Sequence, residues 1–142
     1  MKKFLLVVLL LLPVIGFSQK KNKTYDLLLG GYTRPNETKG ILVYRFDTGT
    51  GKATYLNQID NVENPDFLAI SNDRKFVYAC NVDTKGGEAS ASAFKFAPAS
   101  GKLVLINKQP AGGINPVHII LDKDNKNVFI SHYTSGRLTV LR

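Results

Sequence analysis

The sequence holds one cysteine, Cys80, and two histidines, His118 and His132, in 142 residues. A single thiol cannot close an internal disulfide, although an exported chain would be free to make one. Cys80 sits in the apolar run FVYAC and reads as a small buried hydrophobe. Cys80 and two histidines do not make a metal-ligand set without carboxylates that nothing in the sequence places beside them, so neither a metal nor a cofactor is expected. The sequence also lacks a cluster of one charge. Its net charge of +8 includes Lys2 and Lys3 in the leader, and from Thr24 onward 14 Lys+Arg stand against 11 Asp+Glu. That is an ordinary surface, without the basic face that recognises nucleic acid. No segment shows a sustained helical stripe.

What is present begins with MKKFLLVVLLLLPVIGFSQ. Two lysines precede an apolar block, Phe4 to Ile15, which is too short to span a bilayer comfortably, and the small residues Gly16 and Ser18 follow. This is the order of a secretory signal peptide, with cleavage expected after Ser18; a retained anchor is the alternative. The expected organisation is a signal peptide at 1–18, a short basic linker at 19–23 and a folded domain at 24–142. Such a chain is exported to the periplasm or beyond and leaves the membrane once the signal is cut.

The folded part repeats itself. NPDFLAISNDRKFVYACN, from Asn64, aligns with NPVHIILDKDNKNVFISH, from Asn115, at a constant offset of 51 residues. Independently, YRFDTGTGKATYL, from Tyr44, aligns with FKFAPASGKLVLI, from Phe94, at an offset of 50. Two motifs with nearly one spacing define a unit of about 50 residues. Within it, short runs rich in Val, Ile, Phe, Tyr and Thr alternate with Asn, Asp, Gly and Ser clusters, which is the grammar of strands and turns. PDFLAIS and PVHIILD read as first strands, KFVYACN and NVFISHY as second strands, ASASAFKF as a third and LVLINK as a fourth. The expected fold is all-β, a β-propeller of four-stranded antiparallel blades. Two to three blades are present against the 4–8 that close a ring, and RLTVLR ends the sequence inside a third strand, so an amino-terminal fragment with unpaired edges is expected.

Several motifs then carry a family resemblance. These are GYT at Gly31 to Thr33, the KGI…Y.FD run with its T-G turn, the NP.FLA.S strand, and the P.H strand followed by Y.SG..TV. Together they resemble the amino-terminal part of the lactonase family of seven-bladed β-propellers, which includes propeller-type 6-phosphogluconolactonases and fungal carboxymuconate cyclases. The resemblance implies an enzyme that opens a lactone, best known as hydrolysis of 6-phosphogluconolactone to 6-phosphogluconate, or in some members closes one. The sequence departs from the family at His132, where members usually carry Asn. The arginines and glutamate that share the family's site lie in later blades.

His118 is the expected catalytic residue. The first strand of a blade lines the central channel, and His118 stands near the start of PVHIILD. The equivalent residue one repeat earlier is Phe67, so the architecture does not require imidazole there; a hydrogen-bonded structural histidine is the other reading. An imidazole titrating near neutrality can act as base toward water and as acid toward the departing alkoxide. The oxyanion and any phosphate need cations, for which Arg137 and Arg34 stand nearest to strand ends, though both fall in turn-like, solvated settings. His132 and Arg137 are the expected substrate-binding residues, with His132 at the rim if the strand ends share one mouth; a surface or inter-blade histidine is the other reading of His132. Asn64 and Asn115, each before a proline, read as turn residues.

TGTGK lacks Walker spacing, and SGK in the next repeat marks it as a hairpin turn. DKDNKN opens like a calcium loop but has Asn127 where glycine is needed and Tyr133 where glutamate is needed. Asn22-Lys23-Thr24 and Asn36-Glu37-Thr38 are glycosylation sequons, meaningful only in a eukaryotic secretory pathway. The expected partner is a small lactone. A binding scaffold without catalysis is the competing class, since the fold hosts many functions, and the sequence leaves the oligomeric state open.

Overall fold

The computed structural model describes residues 23–33, 40–83 and 86–142. The expected signal peptide, residues 19–22 of the linker, Arg34 and the second sequon lie outside the described residues.

Ten strands follow one another in three antiparallel sheets. The first sheet is β1 (Thr24–Leu29), β2 (Gly40–Asp47) and β3 (Ala53–Asp60). The second is β4 (Pro65–Ile70), β5 (Phe76–Val82), β6 (Glu88–Ala97) and β7 (Lys102–Ile114). The third is β8 (Pro116–Leu121), β9 (Val128–His132) and β10 (Arg137–Leu141). Each strand pairs with its sequence neighbour, the meander that short turns impose. No helix occurs among the described residues. These are propeller blades: the middle sheet is complete, the first holds the places of strands two to four, and the third those of strands one to three. The outer strand β7 runs to Ile114, beyond the LVLINK run expected, because pairing with β6 continues to Glu88–Ile114.

The repeat seen in sequence is a repeat in register. A bulge separates Pro65 from Phe67 on β4, and another separates Pro116 from His118 on β8. Pro65 pairs with Asn81 as Pro116 pairs with His132. The two hairpin glycines Gly51 (φ 71°) and Gly101 (φ 69°) both donate a five-residue turn bond, to Asp47 O (2.8 Å) and Ala97 O (2.9 Å). Both occupy the left-handed region that L side chains avoid, which explains why glycine recurs there. TGTGK is therefore the hairpin turn expected. DKDNKN is likewise a turn: Asp122 accepts from Lys126 N (2.7 Å) and from the Asn127 side chain (2.6 Å), closing the β8–β9 hairpin on itself.

Two apolar layers hold the sheets face to face. Ile41, Val43, Val77 and Phe94, all fully buried, join the first sheet to the second. Cys80, Ala111, Ile119 and Ile130 join the second to the third. Burying each large aliphatic or aromatic side chain contributes roughly 1.5–3 kcal/mol. Burial depends on having a neighbour on that face. Leu27 and Leu29 on β1 are 40% and 43% exposed, while Val77 and Ala79, which take the corresponding places on β5, are fully buried. Polar ties reinforce the layers: Arg45 pairs with Asp26 (2.7 Å) and reaches Pro98 O (2.7 Å), and the Asn72 amide donates to Lys123 O (2.9 Å).

Candidate functional site

Asn64 and Asn115 set the entry to the two inner strands, both with positive φ (36° and 56°). Asparagine tolerates this region better than most residues. Asn64 does more than turn the chain. Its side chain is buried, accepts from Thr33 N (2.8 Å) and Thr33 Oγ1 (3.0 Å), and donates to Val82 O (2.9 Å). This ties the GYT segment to the start of β4. One repeat later, Tyr133 N donates to Asn115 O (2.9 Å). The starts of β4 and β8 and the ends of β5 and β9 therefore lie at one end of the sheets.

His118 stands at this end on β8, with an exposed side chain. Its ring meets that of Phe67 on the neighbouring inner strand, centroids 4.6 Å apart at 61°, an edge-to-face geometry. The residue that served as internal control in the sequence is thus the histidine's physical neighbour. An open imidazole beside an aromatic wall, on strands fixed by pairing on β5 and β9, can reach a bound molecule.

His132 is next to His118 in register: His118 pairs with Ser131, and Pro116 pairs with His132. Its ring, however, is only 3% exposed. Thr139 Oγ1 donates to Ala111 O (2.6 Å), so the same hydroxyl accepts from His132 Nε2–H (3.0 Å). That relay fixes the Nε2–H tautomer and leaves Nδ1 as a buried acceptor without a partner. Burial, with the Arg137 charge second, pushes the His132 imidazole below its ordinary value and keeps it neutral.

Room for this ring comes from Gly113. A Cβ there would stand 2.5 Å from His132 Cγ and 2.7 Å from Cε1. The preceding repeat fills the corresponding two places with Val62 and Asn81, both buried. Asn81 has both ends paired, donating to Glu63 O (2.9 Å) and accepting from Ser92 Oγ (2.8 Å). A large residue facing a small one has replaced a medium residue facing a medium one. Gly113 and Thr139 went unnoticed in the sequence. Their signal was there, because His132 and Gly113 depart together from the repeat.

Arg137 pairs with His132 across β9–β10 and donates from Nη1 to Gly112 O (2.8 Å). Exposed, it borders a shallow depression with Ser135, Gly113 and Glu88. The three expected site residues thus come to one end of the third sheet, as an open imidazole, a buried one and an exposed guanidinium. Cys80, fully buried, has its thiol pushed up to about 11 by burial and offers no nucleophile there.

Residues 26–142 match the family model described as lactonase, 7-bladed beta-propeller. A 6-phosphogluconolactonase of Formosa agariphila is 34% identical over 113 residues, covering 80% of this chain and 32% of that protein. A periplasmic gluconolactonase of Pseudomonas aeruginosa superposes with a TM-score of 0.76 at 29% identity, over 84% of this chain and 34% of its own. A crystal structure from Bacteroides fragilis gives 0.72 at 36% identity, over 87% and 33%. The chain spans about a third of the length of these relatives.

Proposed function

Because the chain belongs to the lactonase family of seven-bladed β-propellers, we propose that it serves hydrolysis of a lactone in the manner of a 6-phosphogluconolactonase, with His118 as the group that activates water. The observation that carries this reading is an exposed imidazole at the head of an inner strand, where the preceding repeat does without one.

On this reading, the neutral His118 imidazole takes a proton from water as the water oxygen bonds to the lactone carbonyl carbon. The carbonyl oxygen becomes an oxyanion, and a cation lowers that barrier; Arg137 is an exposed guanidinium at this end. As the tetrahedral centre collapses, the acyl carbon–ring oxygen bond breaks and the imidazolium returns its proton to the departing alkoxide. The products are a carboxylate with its proton released and a free hydroxyl. His132 acts as support beneath the Gly113 backbone rather than as a group that touches substrate.

The leader MKKFLLVVLLLLPVIGFSQ supports an exported enzyme, as does the likeness to a periplasmic gluconolactonase. Phosphorylated sugars are usually cytosolic, so export favours a lactone without phosphate as the working substrate.

The test compares wild type with His118→Gln on D-glucono-1,5-lactone and on 6-phosphogluconolactone, with circular dichroism to confirm folding. Loss of turnover by about 10²–10⁴ with the fold intact is expected. Turnover unchanged by the substitution would refute the assignment.

A further inference from the structure

We infer that Phe67 is a substrate-contacting residue that packs on the apolar ring face of a lactone and sets it against His118. The inference rests on the reading of His118 given above and names a substrate contact of the same site.

Phe67 is 41% exposed although it is a phenylalanine on an inner strand. Only part of its surface is used by His118, in the edge-to-face contact at 4.6 Å. The rest is an aromatic surface open to solvent, immediately beside the imidazole. Two more aromatic residues come to the same end. Tyr32, 57% exposed, precedes Thr33, which is bound to Asn64 at the head of β4. Tyr133, 77% exposed, is bound through its own N–H to Asn115 at the head of β8. Aromatic rings that remain in water at one end of the sheets suit a ligand with both an apolar face and polar edges, as a cyclic sugar ester has.

The probe is D-glucono-δ-lactam, an uncharged analogue that resists hydrolysis, titrated into the 142-residue chain and followed by the NMR signals of the Phe67 and His118 rings. The lactam is expected to shift both rings. Phe67→Leu, which keeps an apolar side chain, is expected to weaken binding roughly threefold to tenfold, the scale of one aromatic contact, and Phe67→Tyr to restore it. Equal affinity in Phe67→Leu or no binding by the wild-type chain would each overturn the inference. His118→Gln separates the two claims. Loss of turnover with lactam binding retained supports His118 as base whatever Phe67 does, and dependence of binding on Phe67 stands whether or not His118 turns substrate over.

Discussion

Gly113→Val tests whether the repeat has exchanged one buried pair for another. The backbone allows it, since Gly113 is absent from the positive-φ residues. The side chain does not fit, because its Cβ would lie 2.5 Å from His132 Cγ. The ring must move, and Thr139 and Ala111 O hold it in place through the relay. Overpacking costs about 1–3 kcal/mol and the lost hydrogen bond about 1 kcal/mol, so Gly113→Val should destabilise by about 2–4 kcal/mol. His132→Asn alone leaves a void beside Gly113 and should cost about 1–2 kcal/mol. The double variant rebuilds the Val62–Asn81 combination of the preceding junction and should lose less than Gly113→Val by itself. The cycle therefore predicts a favourable coupling of about 1–3 kcal/mol. Urea unfolding of all four proteins by circular dichroism at pH 7.5 reads each value. A double variant that loses the sum of the two single losses would refute the reasoning, because the two residues would then not share one space.

Other consequences follow from the same structure. The folded chain lowers the His132 pKa through burial, so its contribution to stability is fully present above the unfolded value of about 6.5 and is lost as pH falls toward the folded value; thermal unfolding between pH 5 and 8 should show this loss, and His132→Asn should remove it. Gly51→Ala places a methyl in open space at φ 71° and should cost only the left-handed strain, about 1–2 kcal/mol. Gly101→Ala adds contacts of 2.9 Å to Leu56 Cβ and 3.1 Å to Val43 Cγ1, and should lower the urea midpoint further than Gly51→Ala. Cys80, buried with its thiol pushed up to about 11, should resist iodoacetamide at pH 8 in the folded chain and react promptly in urea, as mass spectrometry would report.

Much of the fold was legible because each blade is written in local chemistry. Glycines at the left-handed turn positions, asparagines before prolines and alternating strand residues repeat at a fixed spacing, and each signal needs only its own neighbours to act. The site was legible in part. His118 departs from the repeat at a position that faces solvent, so its oddity could be seen one residue at a time. His132 departs as well, but sequence could not say that its ring turns inward, because that depends on Gly113, Ala111 and Thr139 from two other strands.

The sequence by itself determined the strands, their turns and the order in which neighbours pair, since short hairpins leave a meander little choice. It also determined which histidine replaces a phenylalanine. Only the tertiary structure decided which face of each sheet is covered: Leu27 and Val77 follow the same strand pattern, yet one is 40% exposed and the other fully buried because, among the described residues, a second sheet packs only on the latter. The same packing decided that Phe67 and His118, separated by a whole repeat, place their rings 4.6 Å apart. Periodicity fixes where a side chain stands on its own sheet; the contact between sheets fixes what it meets.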